Sequence, residues 1–405
     1  MKIYFRSLLF ACAISFSTLA LANQAQPVPV QEDESTAPQI EFTGAGIGTL
    51  DYGRTLDHGA QGGINFSDSA LMLGAAQSLS QFKGIGSFGF GGLATDQANR
   101  GTGQKSDFFI HKAFVDVQTE SFEALIGRSD NETAHLVDFP TLRGDDLVTL
   151  TNPVNPFSNG VNPEEHRYAN VAAVTFNQGL SYFENIHVQH LINSAGVGTD
   201  TGLNSIGATF QYMDSPGLEA FSRIPFWGVG AEHIFLDAHS LGGLNQIYAG
   251  GVFNLNTSVT HRLELKAQDI VSVGSNLNAF QTITDTYQAN SNSAALALRY
   301  LDTPFGKPGY QIGLTAVYKS YLDVKDSNSF GFALTGVKRL GQGFDLVAQY
   351  LGQWRQSALS TAQANGVGSE HIAEVGFVFG FDALLNQHLS PRRSLLNQQH
   401  QFIQN

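Results

Sequence analysis

The sequence predicts an all-β chain, and within that class a closed antiparallel transmembrane β-barrel of about sixteen strands. Three observations predict it. Apolar residues recur with period two in short segments from residue 39 onward. Past the N-terminal leader, no apolar run approaches the ~18 residues that a membrane helix needs. Glycine (43) and phenylalanine (30) are abundant while the average hydropathy stays near neutral. A barrel wall produces that average, because lipid-facing and water-facing residues alternate along each strand. Of the structures that can span a bilayer, only helices and closed barrels pair every backbone donor and acceptor internally.

The leader sets the compartment. Lys2 and Arg6 precede an apolar core from Ser7 to Leu19, and Ala20-Leu21-Ala22 gives a small-x-small pattern before Asn23. Residues 1–22 therefore read as a secretory signal peptide, too short and wrongly flanked for a spanning helix. Residues 23–38, rich in Pro, Gln and acids, read as a flexible periplasmic lead-in with little to bury. The barrel is expected over 39–381 and a tail over 382–405, with the cell outer membrane as destination. Cys12, the single cysteine, lies in the leader, so the mature chain is expected to hold no disulfide and no cysteine metal site. Losing Lys2 and Arg6 takes the formal charge from −13 to −15 (−13 − 2), which argues against nucleic acid as a partner.

Strands are expected near 39–52, 65–78, 82–95, 106–117, 120–129, 168–177, 180–192, 203–213, 224–235, 244–255, 259–272, 288–301, 309–321, 329–339, 343–356 and 369–380. The alternation is clearest late in the chain. Tyr310, Ile312, Leu314, Ala316 and Tyr318 oppose Gln311, Gly313, Thr315 and Lys319. Phe344, Leu346, Ala348, Tyr350 and Trp354 oppose Asp345, Gln349, Gln353 and Arg355. Leu296, Leu298 and Tyr300 oppose Ala297 and Arg299, and His261, Leu263 and Leu265 oppose Arg262, Glu264 and Lys266. In a barrel with a wet interior the apolar set faces lipid. A soluble sandwich would swap the faces. The barrel is favoured because the apolar rows end in Tyr or Trp, the residues of the lipid–water boundary.

Connections alternate between short (118–119, 178–179, 340–342) and long (53–64, 96–105, 273–287, 357–368), as periplasmic turns and external loops do. The longest runs from Asp130 to Arg167, DNETAHLVDFPTLRGDDLVTLTNPVNPFSNGVNPEEHR, with four prolines and no sustained apolar period. A connection of this length inside a compact domain is usually functional. The expectation is a third external loop that folds inward and narrows the pore. Acids on one side of a narrow opening and bases on the other would create a transverse field that favours dipolar over apolar solutes. The available lumen residues are Lys112, Arg262, Glu264, Lys266, Arg299, Lys319, Asp345 and Arg355. Strand parity puts Arg128 on the face of Ala124 and Ile126, so a bulge would be needed to aim it inward.

The stretch HKAFVDVQTESFEALIGRSDN, His111 to Asn131, resembles the general bacterial porin family. An aromatic-small-apolar strand end turns tightly at Gln118-Thr119, and the next strand ends in Gly127-Arg128 immediately before the long loop. The resemblance implies that Arg128 faces the constriction. It implies that Asp138, Asp145 and Asp146, beside Arg143 in VDFPTLRGDD, sit where the porin loop presents its acids. A homotrimer is implied by the resemblance alone. One departure is plain: FSDSALMLGAAQSLS carries no base where porins often place one.

Other chemistry has little support. The twelve histidines show no HxH or HExxH spacing, no G-x-S-x-G turn is present, and the glycines of KGIGSFGFGG precede no helix. No cofactor, no metal and no catalytic residue is expected. The sequence points to a passive diffusion channel for small hydrophilic solutes and ions. A substrate-selective channel for an anion or sugar, or a plugged barrel acting as a rim enzyme or adhesin, are the alternatives.

Overall fold

Period-two patterning yields strands along the whole chain. The structure is a computed structural model and describes residues 39–55, 59–66, 69–79, 84–96, 106–119, 121–130, 136–137, 139–142, 168–178, 181–192, 200–214, 221–235, 243–256, 258, 260–275, 290–302, 309–322, 328–341, 343–355 and 369–384. The segments are β1 (Gln39–Thr55), β2 (Gly59–Asn65), β3 (Ala70–Leu79), β4 (Gly84–Asp96), β5 (Ser106–Gln118), β6 (Phe122–Asp130), β7 (Tyr168–Gln178), β8 (Tyr182–Ile192) and β9 (Asp200–Met213). There follow β10 (Phe226–Phe235), β11 (Gly243–Asn254), β12 (His261–Ser275), β13 (Ser291–Asp302), β14 (Tyr310–Tyr321), β15 (Ser329–Gly341), β16 (Phe344–Arg355) and β17 (Ser369–Leu384).

Apart from β2 and β3, each segment pairs antiparallel with its sequence neighbour, and β17 returns to β1 in a continuous register from Glu41↔Leu384 to Arg54↔His371. The wall is therefore closed on itself, β17 against β1. β2 and β3 together form one stave: β1 pairs with Gly59–Asn65 along its later half and with Ala70–Ala76 along its earlier half. Seventeen segments thus make sixteen staves. Where that stave breaks, Ser69 substitutes for a ladder partner. Its Oγ accepts from the Ile47 N–H at 3.0 Å and donates to the Ile47 carbonyl at 3.2 Å.

This corrects the first external connection. Residues 53–64 are largely strand, because β1 continues to Thr55 and β2 begins at Gly59. GAQGGIN carries one large apolar residue, Ile64, so its pairing is set by the β1 backbone rather than by side-chain pattern. The last strand also runs on, to Leu384.

The two faces divide as predicted. Leu296, Leu298, Ile312, Leu314, Leu334, Leu346 and Val375 are exposed on the outside, while Arg299, Gln311, Thr315, Lys319, Thr335, Asp345 and Gln349 are buried on the inside. Aromatic rings cluster at both ends of the outer face. Tyr182, Phe210, Tyr212 and Trp227 stack with centroids 5.1–6.3 Å apart where β8, β9 and β10 meet the short-turn end. Phe330 and Trp354, 6.0 Å apart, lie at the long-loop end of β15 and β16. These are the girdles of a membrane-spanning barrel, and the short-turn end is the periplasmic one.

Candidate functional site: the lumen and the segment laid across it

The inner face holds the charged positions. Glu264 is the centre of a cluster on β12 and β13. Its Oε2 accepts from Arg299 Nε and Nη2 at 2.6 Å each, and its Oε1 lies 2.6 Å from Arg262 Nε. Lys266 follows two residues on, on the same face, and Lys319 is buried on β14. Near the periplasmic turn, Arg339 Nε stands 3.7 Å from Asp345 Oδ1. Across the closing seam Asp51 is in register with Glu374, both buried and inward. The arc from β8 to β11 carries amides, hydroxyls and imidazole beside the acid Glu232. His187 Nδ1 donates to Asn185 Oδ1 at 2.8 Å, and Gln189 donates to Glu232 at 2.7 Å.

Against this wall lies part of the long connection. Leu136, Val137, Phe139, Thr141 and Leu142 are all buried. Their contacts advance round the barrel in chain order. Leu136 packs on Tyr248 and Ile270 of β11 and β12. Val137 and Phe139 join the inward-facing Ala297, Val317, Ala333, Leu351 and Ile372 of β13 to β17. Leu142 packs with Val337, Val347, Val378 and Ile47, the last on β1.

Backbone bonds fix the two ends. The Val137 N–H donates to Gln268 Oε1 at 3.0 Å, and the Leu142 N–H donates to Gln349 Oε1 at 2.7 Å. Gln349 is held in turn, since its oxygen accepts from Thr335 Oγ1 at 2.8 Å and its nitrogen donates to Glu374 at 2.8 Å. Between them the Thr141 N–H bonds the Phe139 carbonyl at 2.8 Å, a three-residue turn centred on Pro140, whose ring presets φ. Glycines make room: a Cβ on Gly250 or Gly313 would strike Val137 or Pro140.

Of the residues expected at the site, Lys112, Glu264, Lys266, Arg299, Lys319 and Asp345 are buried on the inner face, and Arg262 is half-buried there. Asp138, Arg143, Asp145 and Asp146 lie outside the described residues, as does the side chain of Arg355. The expectation for Arg128 is corrected by the register. β6 pairs with β5 and β7 without a break, so Arg128 keeps the face of Ile126, which is 65% exposed. Its Nε donates to Asn170 Oδ1 at 3.3 Å and its Nη1 to the Ile110 carbonyl at 3.0 Å. Asn170 itself points outward, between Ala169 and Val171, which are 0% and 3% exposed. The one bulge nearby, opposite Gly91/Gly92, sits in β5 at His111 and not in β6.

Sequence reading also missed the apolar half of the inner wall. Val317, Val337, Val347, Leu351, Ile372 and Val378 break the polar-inside pattern, and they are the residues Leu136–Leu142 covers. Apolar residues on both parities of β14 to β17 were the available signal.

A closed wall of sixteen staves, a polar lumen and two aromatic girdles decide the class. The fold is that of the porin-like outer-membrane barrels. No family profile matches the sequence, and no curated protein matches it either. Solved structures do. An anion-selective porin from Comamonas acidovorans aligns with a TM-score of 0.57 at 14% identity, over 85% of this chain and all of that one. OmpT, an outer membrane protein of Vibrio cholerae in a trimer form, aligns at 0.56 and 9% identity, over 85% and 100%. The outer-membrane channel DcaP of Acinetobacter baumannii aligns at 0.53 and 9%, over 86% and 98%. At such identities the likeness is one of fold, so the function of this porin-like barrel has to be argued from its own lumen.

Proposed function

We propose that this chain is an outer-membrane diffusion channel for small hydrophilic solutes and ions, exported through a cleaved signal peptide. Size and charge selection would occur where the connection 130–167 narrows the lumen. The observation that carries the reading is the seating of Leu136–Leu142 on the inner wall by two backbone hydrogen bonds. In this reading the acids Asp138, Asp145 and Asp146, with Arg143, would be presented to the passage. Set against bases of the wall, they would place the water between them in a focused field. The similar structures named as a porin and a channel support the same class. The trimer form of one of them supports a homotrimer.

Planar-bilayer recording tests the reading. Ohmic steps are expected from the refolded barrel, and deletion of residues 135–150 should raise the conductance. No conductance at all would mean a plugged barrel, and an unchanged step after deletion would remove the connection from the selectivity filter.

One observation favours a second reading, a channel selective for anions. Among the described residues, β12 to β14 carry Arg262, Lys266, Arg299 and Lys319 inward with one inward acid, Glu264. Saturable current blocked by a small carboxylate or phosphate would separate this from plain diffusion.

A further inference from the structure

One stave is interrupted. β2 ends at Asn65 and β3 begins at Ala70, and both pair with β1. Between the pairs Thr49↔Asn65 and Ala45↔Ala70, three residues of β1 face no strand on that side: Gly46, Ile47 and Gly48. The Ser69 N–H donates to the Phe66 carbonyl at 3.3 Å, so the chain turns out of the ladder at this point. The far flank is one-sided as well. The last β3–β4 pair is Ala70↔Leu93, and Ala94, Thr95 and Asp96 pair with β5. Among the described residues, β2 pairs with β1 alone.

The depth of the interruption gives it meaning. The outward row of β1 carries aromatic rings at Phe42 and Tyr52, ten residues apart (52 − 42). That is the length of a bilayer-spanning strand, ~9–11 residues. Ile47 lies five residues from each ring (47 − 42; 52 − 47), at mid-depth. Backbone that leaves the ladder at this depth is tolerated where it is buried in protein or lines a cavity. The outward face of β1 here is bare: a Cβ on Gly46 would meet nothing within 4 Å, and one on Gly48 would meet the Phe66 ring at 3.3 Å. Phe66, 52% exposed, is laid across that backbone. Glycine inside a strand often marks the close approach of a ligand. The inner side is apolar. Ile47 packs with Val337, Val347 and Val378, and Met72 of β3 packs with Phe114 of β5. Beyond them Asp51, Lys112 and Asp116 face the lumen, polar groups of both signs.

We propose that this interruption is a lateral portal, through which a single-chain amphiphile passes between the hydrocarbon layer of the outer membrane and the lumen. The hydrocarbon chain crosses the wall beside Phe66, between β1 and β4, and lies against Ile47 and Met72. The polar head goes ahead into the lumen, where groups of both signs suit a polar head without selecting its charge. Three unpaired residues of β1 make an interruption ~10 Å tall, which suits one chain and not a lipid with several. The apolar inner wall of β15 to β17 begins at Ile47 and continues the path. Hydrophilic solutes gain nothing from that lining, whereas a hydrocarbon chain is drawn to it. The portal requires no ionic conduction, so it stands apart from the diffusion reading.

The test uses the full chain in phospholipid vesicles, carrying Cys12→Ser so that one introduced cysteine takes the label. A fluorophore on Met72→Cys should be quenched about five-fold more by a fatty acid with a mid-chain nitroxide than one on Gln246→Cys, inward on the opposite wall at β11. Ala45→Cys is a second label site, in case the first lowers barrel yield. Gly46→Trp, whose side chain has open space, should abolish the excess quenching, and Phe66→Ala should increase it. Quenching at both label sites no stronger than at Gln246→Cys overturns the proposal, as does excess quenching that survives Gly46→Trp. Equal quenching by a nitroxide on a two-chain phospholipid overturns the single-chain amphiphile as the molecule that passes. Conductance is a separate readout, so a barrel that fails to conduct would not imitate any of these results.

Discussion

Glu264 is one carboxylate among three bases, two of them within 2.6 Å. Because it is buried with Arg299, removing it leaves uncompensated cations against the wall. Glu264→Ala should destabilise the barrel by about 3–5 kcal/mol, measured as a lower urea midpoint of unfolding in detergent. Ser69 has a smaller part with the same logic. Its hydroxyl makes both bonds that Ile47 would otherwise take from a strand, so Ser69→Ala should cost roughly 1–3 kcal/mol and speed exchange of the Ile47 amide. Neither role was legible in the sequence. Glu264 could be placed on the inner face by parity, but its two arginine partners could not be assigned. Ser69 lies in a stretch whose pairing is dictated by β1. Arg128 shows the opposite: parity alone placed it correctly on Ile126's side, and the resemblance to a family pattern pointed the other way.

At the level of elements, strands were legible because a closed wall imposes the same two-residue period on every stave, and a wet lumen keeps the faces chemically distinct. The long connection was legible as an interruption of that period. Its seating was not, since LVDFPTL is too short to show a pattern and its partners are dispersed over eight staves. The seat depends on wall glycines. Gly313→Leu would drive a side chain into Pro140, with an overpacking cost of about 1–3 kcal/mol that displacing Pro140 would relieve. The expected result is a changed single-channel conductance with little change in barrel stability. Gln349→Leu should act at the other end: it orphans the Leu142 N–H and should broaden the distribution of conductance levels.

The whole molecule is sorted by its two surfaces, and that sorting can be checked by depth. Leu334 is outward and near mid-strand, while Leu340 is outward at the periplasmic turn, and both are exposed. Leu334→Arg should cost about 2–4 kcal/mol and Leu340→Arg about 0–1, read from folding equilibria in lipid vesicles. Closure of the wall has a further consequence, in time rather than in space. The partner of β1 is β17, so a strand beginning at Gln39 waits for one ending at Leu384. Until β17 arrives, β1 and the newest stave each lack a neighbour, so no partial product is a closed wall. Contacts of such long sequence separation form slowly. The chain must therefore be held unfolded, apart from its kind, from ribosome to membrane, and its assembly is decided by the arrival of the sixteen residues of β17.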